Sequence, residues 1–250
     1  MPPLAQNVTI VLNKPKYPEN IGSSARAMHN MGLSRLVVVA PANPDPERME
    51  RMATHSAVPV LSGMEIADDL ETALAPFGYV VGTTARTGRR RRETAPPREM
   101  ARRVAALAES NRVAVVFGPE DRGLTNAELE LCHAYVNIPT ADFSSLNLSQ
   151  AVMVVAYELF QAALGEERAP AERSARLAGR VELSLMYEEL AACFRSVGFE
   201  NPENRGYWVD GFRNLFSRLA LGAKEVRMIR AMCSRIESFA EECRRGEGRG

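Results

Sequence analysis

Short apolar segments alternate with longer helix-like segments along the first two thirds of this 250-residue chain. The short segments are rich in β-branched residues and are bounded by Gly, Pro or Asn, a pattern typical of buried strands. Alternation of this kind predicts an α/β fold in which a mostly parallel sheet is covered by helices. The strand candidates are Val8–Leu12, Leu36–Ala40, Tyr79–Gly82, Val113–Phe117 and Tyr135–Ile138.

Helical patterns occupy the segments between and after these strands. Thr125 is followed three residues later by Glu128, and this capping box predicts the start of a helix. The helical candidates are Asn20–Met31, Pro46–Thr54, Glu65–Leu74, Arg98–Ser110, Thr125–Cys132 and the long apolar segment Leu148–Leu164.

The composition of the chain changes after Leu164, where the polar segment GEERAPAERSARLAGR is interrupted by Gly and Pro. Such a composition is typical of a linker. The rest of the chain carries about three helical patterns and no strand candidate, which indicates a small all-α unit. We therefore predict an α/β domain over residues 1–165, followed over residues 166–250 by a linker and a helical carboxyl-terminal extension.

The charges of the chain balance, because 31 Lys and Arg residues stand against 31 Asp and Glu residues. A net charge of zero argues against a protein that coats nucleic acid with a uniformly basic surface. Two windows are nevertheless basic: Thr84–Arg103 holds eight arginines against two glutamates, and Arg205–Arg235 holds seven basic residues against two acidic ones. Arginine runs are often only solvated, so solvation and contact with a nucleic-acid backbone both stay open at this point.

Several classes of protein are disfavoured by features that the sequence lacks. Its apolar runs fall well short of the ~20 residues that a membrane-spanning helix needs, and its amino terminus has no signal pattern. The four cysteines form no CxxC pair and the three histidines show no ligand spacing, so neither a metal site nor a disulfide framework is indicated. We expect a cytoplasmic protein with no membrane contact and no metal.

Three motifs directly follow predicted strands, where open α/β sheets bind ligands. The first runs from Asn13 to Arg26 and leads through a Pro-rich loop into a helix. Asn20 is placed to cap that helix, which would leave Arg26 solvated. The alternative is a helix start that faces an anion, with Arg26 directed at a phosphate. Both interpretations are compatible with the residues.

The second motif, Gly118–Asn126, is a Gly-rich turn with acidic residues. It lacks both the GxGxxG pattern and the GK[ST] of a P-loop, so nicotinamide cofactors and ATP are disfavoured. The third motif leads from Ile138 through a polar loop into the long apolar helix. Ser144 or Asn147 is placed to cap this helix, but the loop holds more hydroxyl and amide groups than one cap needs. We therefore favour a ligand-binding loop.

Together these segments resemble the SpoU branch of the SPOUT methyltransferases, and within it the TrmJ-type tRNA 2′-O-ribose methyltransferases. The resemblance rests on ENIGSSARAMHNMGL, on VVGTTAR, on FGPEDRGLTNAEL with CHAYVNIP, and on SSLNLSQAVMVVAYEL, in the family's order and approximate spacing. It extends into the helical extension through YEELAACFRSVGF and LFSRLALGAKEVRMIRAM. The resemblance implies a homodimer, and a catalytic domain whose carboxyl-terminal part is threaded as a trefoil knot, which very few folds contain.

The resemblance also implies S-adenosylmethionine as the methyl donor. Ile138 and Leu146 suit an apolar slot for adenine, and Gly118 lets the main chain approach closely. The residues that match the family's cofactor contacts are Thr83, Thr84, Ala85, Gly118, Ile138, Ser144, Ser145 and Leu146.

Arg26 leads the catalytic residues that the resemblance implies. A guanidinium is a poor base at neutral pH but a good bidentate partner for phosphate. We therefore expect Arg26 to anchor the phosphate beside the target ribose and to stabilise the developing alkoxide, while the identity of the base stays open. Pro119 stands where TrmJ-type relatives commonly have an arginine, which weakens the case for RNA contact by its loop. The supporting candidates are Asn20, Glu120, Ser145 and Asn147.

These residues imply an enzyme that methylates a ribose 2′-hydroxyl in RNA, with position 32 (C or U) of the tRNA anticodon loop as the expected target. The alternatives are ribosomal RNA, another tRNA position, and an RNA-binding protein without catalysis. The arginine run beside the predicted cofactor loop is expected to contact the RNA backbone without reading its sequence. Its residues are Arg86, Arg89, Arg90, Arg91 and Arg92.

Overall fold

The computed structural model describes residues 4–85, 94–142, 145–165, 176–199, 206–216 and 219–247, and seven strands within these ranges form one sheet. The strands are β1 (Val8–Asn13), β2 (Arg35–Val39), β3 (Glu65–Ala67), β4 (Tyr79–Thr83), β5 (Thr94–Ala95), β6 (Val113–Phe117) and β7 (Ala134–Val136). Their order across the sheet is β3-β2-β1-β6-β4-β7-β5, and every strand pair is parallel. The predicted α/β fold with a parallel sheet is confirmed.

The centre of the sheet is buried on both faces, as is usual for parallel strands. β1 and β6 are buried at every position. Alternate strand residues such as Val11, Val80 and Val116 pack in one cluster with Leu74 and Leu129. Full burial of an aliphatic side chain contributes about 1.5–3 kcal/mol relative to exposure, so these strands form a rigid base for the loops that follow them.

Helices cover the sheet of this amino-terminal unit. They are α1 (Leu4–Asn7), α2 (Pro18–Asn30), α3 (Pro46–Ser62), α4 (Leu70–Leu74), α5 (Pro97–Leu107), α6 (Asn126–Glu130) and α7 (Leu148–Leu164). α2 packs against both α3 and α7, and α7 also packs against α5, so these four helices form one continuous layer. The predicted capping box at the start of α6 is confirmed, because the Thr125 side chain and Glu128 satisfy each other's backbone N–H groups.

The helix predicted over Glu65–Leu74 is wrong in its first half. Glu65–Ala67 pairs in parallel with β2 as the edge strand β3, and α4 begins only after Asp69, whose carboxylate accepts a hydrogen bond from the Thr72 backbone N–H at 2.8 Å. Tertiary pairing overrides local helical preference here. β5 was not predicted, because two residues carry no periodicity.

α3 extends beyond the predicted end at Thr54. The backbone of Thr54 leaves the helical region there (φ 62°, ψ 163°), and a second helical stretch continues to Ser62. The predicted end therefore marks a kink inside a longer helical segment.

The chain divides into two compact units, Met1–Ser174 and Ala175–Gly250. The second unit holds three helices in its described part: α8 (Arg180–Ser196), α9 (Tyr207–Phe216) and α10 (Ala223–Glu247). The predicted all-α extension is thus confirmed. The division at residue 165 stays a prediction, because residues 166–175 lie outside the described ranges. The trefoil knot also stays a prediction. Across the described ranges, no helix is both long enough and apolar enough to cross a membrane.

Gly22 allows α2 and α3 to pack closely. A Cβ atom added at Gly22 would overlap the backbone carbonyl oxygen of Met49 and lie 3.0 Å from the Cβ of Met52. Gly211 offers a contrast, because it lies in α9 and an added Cβ there would meet no atom within 4 Å.

We predict that Gly22→Ala lowers the free energy of unfolding by about 1–3 kcal/mol, because the added methyl forces two packed helices apart. Gly211→Ala, the matched control inside a helix, is expected to leave that free energy unchanged or to raise it by up to about 1 kcal/mol. Denaturant titration followed by circular dichroism measures both. Equal effects of the two substitutions would contradict this account of Gly22.

Candidate functional site

A cavity of about 260 Å³ lies beyond the carboxyl ends of β4, β6 and β7. Open parallel sheets bind ligands at this edge, because the loops after neighbouring strands meet there. The residues that line the cavity are Thr83, Thr84, Ala85, Phe117, Gly118, Pro119, Glu120, Asp121, Arg122, Gly123, Leu124, Val136, Ile138, Ser145, Leu146, Leu148 and Ala151.

The predicted cofactor residues converge on this cavity. Seven of the eight line it: Thr83, Thr84, Ala85, Gly118, Ile138, Ser145 and Leu146. The eighth, Ser144, lies outside the described residues. The structure therefore brings together three segments of the chain, of which the first begins at Thr83 and the last ends at Leu146, more than 50 positions later.

Gly118 is required by the fold of its own loop. A Cβ atom at Gly118 would overlap the backbone of Gly123 and Leu124. The turn closes through a hydrogen bond from the Gly123 N–H to the Pro119 carbonyl oxygen at 2.9 Å, and Gly123 adopts a left-handed conformation (φ 66°). The loop from Gly118 to Leu124, termed here the 118–124 loop, is thus a tight turn that forms one wall of the cavity.

Asn137 holds the loop after β4, a role that the sequence did not reveal. Its side-chain amide donates to the Thr84 carbonyl oxygen at 2.8 Å. The Thr84 N–H donates to the Val136 carbonyl oxygen at 3.0 Å. Asn137 lies within the CHAYVNIP segment of the resemblance. The motif therefore indicated the segment, but not the contact of Asn137 with Thr84.

A chain of side-chain hydrogen bonds connects the three motifs. The Asn20 amide donates to Glu120 Oε1 at 2.7 Å, and the Asn147 amide donates to Asn20 Oδ1 at 3.0 Å. Glu120 lines the cavity, whereas Asn20 and Asn147 reach it through this chain. Three of the five predicted catalytic residues are therefore joined in one network, and Ser145 stands on the wall of the same cavity.

The two capping alternatives have different outcomes. α2 begins at Pro18 with Tyr17 at its N-cap position, so the interpretation of Asn20 as a helix cap is wrong and its side chain is used in the network. Asn147 does cap α7, since its Oδ1 accepts from the Ser149 N–H at 2.9 Å. The same side chain therefore starts a helix with its oxygen and joins the network with its nitrogen.

Lys16 holds two consecutive acidic residues of the 118–124 loop. Its backbone N–H donates to Glu120 Oε2 at 2.9 Å, and its Nζ donates to Asp121 Oδ2 at 2.7 Å. The hydrogen bond from Lys16 lowers the pKa of the Asp121 carboxyl below its ordinary value. Together with Asn20, Lys16 gives each carboxylate oxygen of Glu120 one N–H donor.

Glu128 connects the end of β1 to the start of α6. It accepts from the Asn13 amide and from the Thr125 N–H, both at 2.8 Å. Burial raises the pKa of Glu128, but the hydrogen bonds from Thr125 and Asn13 outweigh it, so the pKa is lowered overall. The capping box predicted from sequence thus also fixes the base of the 118–124 loop.

Arg26 lies on the exposed side of α2 and does not line the cavity. Among the described residues, no hydrogen bond or ion pair engages its guanidinium. Five arginines predicted to contact RNA lie outside the described residues: Arg86, Arg89, Arg90, Arg91 and Arg92. The loop that precedes them lines the cavity. In the extension, Arg213 pairs with Asp210 at 3.3 Å and Arg230 pairs with Glu189 at 2.6 Å.

Comparison with known proteins gives a consistent result. The sequence profile described as the SpoU rRNA Methylase family matches residues 7–157. The tRNA (cytidine/uridine-2′-O-)-methyltransferase TrmJ of Photorhabdus laumondii is 34% identical over 247 residues, which cover 96% of this chain and 100% of that protein. The protein of the same name from Yersinia pestis is 37% identical over 251 residues, which cover 98% of this chain and 97% of that protein.

Solved structures agree with the sequence comparison. TrmJ from Z. mobilis superposes with a TM-score of 0.72 at 29% identity, over 92% of this chain and 98% of that chain. A probable methylase family protein from Haemophilus influenzae superposes with a TM-score of 0.61 at 32% identity, over 95% of this chain and 98% of that chain. The profile match covers most of the α/β unit, and the relatives exceed 30% identity along nearly the whole sequence. This chain therefore belongs to the SpoU rRNA methylase family.

Proposed function

We propose that this chain is an S-adenosylmethionine-dependent methyltransferase that modifies a ribose 2′-hydroxyl of tRNA, with position 32 (C or U) of the anticodon loop as the target. The observation that carries this proposal is the convergence of three sequence-distant loops on one cavity at the carboxyl edge of the sheet. Full-length relatives named as tRNA cytidine/uridine 2′-O-methyltransferases support it. Because the substrate is tRNA, we expect the enzyme to work in the cytoplasm.

The residues of the cavity fit the methyl donor. Its volume of about 260 Å³ lies just below the ~300–1,000 Å³ typical of ligand pockets. Ile138, Leu146 and Leu124 provide an apolar slot for adenine, while Glu120 and Asp121 provide carboxylates at the same cavity. Bound S-adenosylmethionine supplies an activated methyl group, so the remaining task of the protein is to align the acceptor oxygen and to assist the loss of one proton.

The network of Glu120, Asn20 and Asn147 serves alignment. Both Glu120 oxygens already accept N–H groups, so this carboxylate is fixed as an acceptor and is poorly placed to act as a mobile base. Preorganised polar groups of this kind need no rearrangement when the reaction occurs. We assign these three residues, with Ser145, to the positioning of the cofactor and the ribose.

Arg26 is assigned to the substrate. It is exposed on α2 and has no partner among the described residues, so its guanidinium is available to a phosphate group of the RNA. A guanidinium binds phosphate in a bidentate manner and stays charged at neutral pH. Arg26 then anchors the phosphate beside the target ribose and stabilises the developing alkoxide.

We also propose that the enzyme is a homodimer. The exposed side of α7 carries apolar residues at helical spacing, with Val154, Tyr157 and Leu164 exposed by 37%, 47% and 62%. Exposed apolar stripes on a helix are typical of an interface with another molecule. Pairing of this face between two copies would remove it from water.

A different tRNA position is the second candidate. A solved structure described as giving insight into 2-OH methylation of C/U34 on tRNA superposes with a TM-score of 0.51 at 25% identity, over 64% of this chain and 97% of that chain. That match covers 64% of this chain, whereas the TrmJ relatives match 96% and 98% of it. This difference in coverage favours the TrmJ-type activity, for which the family resemblance implies position 32.

The proposal predicts methylation of a tRNA transcript by the purified enzyme and S-adenosylmethionine. Mass spectrometry of nuclease fragments is expected to find one 2′-O-methyl group at position 32. A transcript with a 2′-deoxy nucleotide at position 32 is the matched control, because it lacks only the acceptor oxygen. Continued methylation of that control would move the target elsewhere, and no heat on titration with S-adenosylmethionine together with no methylation would overturn the enzyme itself.

Arg26→Ala is predicted to lower turnover by about 100-fold or more, as does removal of a donor to a developing oxyanion. The dissociation constant for S-adenosylmethionine should change little, because Arg26 does not line the cavity. Arg51→Ala removes another exposed arginine, on α3, and serves as the control with normal turnover. A large loss of donor binding in Arg26→Ala, measured by calorimetry, would contradict the assignment.

The arginine run is tested by the salt dependence of tRNA binding. Replacement of Arg89, Arg90, Arg91 and Arg92 by serine is expected to weaken binding and to flatten the plot of log affinity against log salt. The slope should fall by about 0.7–0.9 for each RNA phosphate that the run neutralises. Replacement of the same four residues by lysine keeps the charge and should preserve the slope. An unchanged slope in the serine variant would mean that the run is only solvated.

A further inference from the structure

Two loops at the carboxyl edge of the sheet are held together through Lys16. β1 and β6 are parallel neighbours, with Leu12 paired to Phe117, so the loops that follow them emerge side by side. Lys16 belongs to the first loop, and Glu120 and Asp121 belong to the 118–124 loop. The backbone N–H of Lys16 donates to Glu120 at 2.9 Å and its Nζ pairs with Asp121 at 2.7 Å.

The loop that carries Lys16 is anchored from its other side. The Lys14 N–H donates to the Val39 carbonyl oxygen at 2.8 Å, and the Ala42 N–H donates to the Pro15 carbonyl oxygen at 3.0 Å. Lys14 adopts a left-handed conformation (φ 53°), which turns the chain away from β1. The segment around the end of β2 thus fixes the backbone next to Lys16. Lys16 in turn holds Glu120 and Asp121 of the cavity wall.

The two acidic residues of the cavity wall are held by Lys16. Glu120 and Asp121 both line the cavity, and within the described residues the hydrogen bonds that reach their carboxylates from other loops come from Lys16 and Asn20. Of these two carboxylates, Asn20 contacts only that of Glu120. The Lys16 ion pair, whose side chains are 43% and 46% exposed, is therefore the contact that ties Asp121 to the neighbouring loop.

We propose that Lys16 is a positioning residue of the methyl-transfer site, and that its ion pair with Asp121 holds the 118–124 loop against the bound donor and slows release of the donor. This inference rests on the proposed function, since it assumes that the cavity binds S-adenosylmethionine. Lys16 was not among the residues that the sequence singled out, because its role depends on a partner more than 100 positions away.

A direct contact between Lys16 and RNA phosphate is the competing role. The lowered pKa of Asp121 keeps that carboxylate ionised at neutral pH, and its negative charge next to Nζ weakens attraction of the pair to a phosphate. The geometry therefore favours a role within the protein, and the experiment measures both ligands.

The experiment removes the ion pair and leaves the backbone contact intact. Lys16→Met keeps the N–H that donates to Glu120, while Asp121→Asn removes the charge of the partner. An exposed ion pair has a small effect, so each substitution is expected to raise the dissociation constant for S-adenosylmethionine about two- to five-fold and to speed its release. The double variant should be no worse than either single variant, and the exchanged pair K16D/D121K should recover part of the affinity.

The Arg48–Glu19 ion pair provides the matched control. It has the same length, 2.7 Å, and similar exposure, 45% and 38%, but neither residue lines the cavity. Arg48→Met is expected to leave donor binding unchanged. The melting temperatures of Arg48→Met and Lys16→Met should both shift little. A loss of donor affinity in Lys16→Met alone would then show that Lys16 positions the loop and does not act through general stability.

Calorimetry and stopped-flow measurements with S-adenosylmethionine, and kinetic assays with tRNA, distinguish the outcomes. Additive effects in the double variant, or an unchanged donor constant in Lys16→Met with a raised KM for tRNA, would overturn the proposal and assign Lys16 to RNA. Added salt should weaken donor binding more in the unsubstituted enzyme than in Lys16→Met. Failure of the unsubstituted enzyme to bind the donor at all would instead reject the proposed function.

Discussion

Parallel pairing of the central strands is the constraint on which the site depends. β1, β6, β4 and β7 lie next to one another and run in the same direction, so the segments after them must leave the sheet at one edge. β1 and β6 are buried at every position. Close packing fixes their register, because a shift by one residue would turn each side chain to the opposite face and against different neighbours. The loops therefore start from positions that the core determines.

Polar side chains then set the shape of those loops. Unpaired polar groups are costly when they are removed from water, and Asn20, with only 9% of its surface exposed, satisfies its amide by contacts with Glu120 and Asn147. One buried amide thus connects the loops after β1 and β6 with the start of α7. The tight turn at Gly118 and the Asn137 contact to the loop after β4 complete the cavity. Methyl transfer requires a protein to position a donor and a ribose, and the proposed assignment of this network to positioning agrees with that requirement.

Sequence patterns predicted the elements better than their partners. The strand candidates and the capping box at Thr125 were confirmed because they depend on local periodicity and local hydrogen bonds. Glu65–Ala67 was predicted as helix because its strand conformation comes from pairing with β2. Among site residues, the motifs identified the lining of the cavity, whereas Asn137 and Lys16 were missed because each acts through a residue distant in the chain.

The sequence by itself determined the parallel α/β unit, the helical extension, the family and the segments that form the site, since periodicity and ordered motifs are properties of the chain alone. Only the tertiary structure decided what individual polar residues do. Asn20, which the sequence allowed as a helix cap, instead links Glu120 to Asn147, while Asn147 does cap α7. Gly118 accommodates the chain's own loop. The physical reason is that hydrogen bonds and close contacts between distant segments depend on distances in space, and these exist only after the sheet has brought the strand ends together.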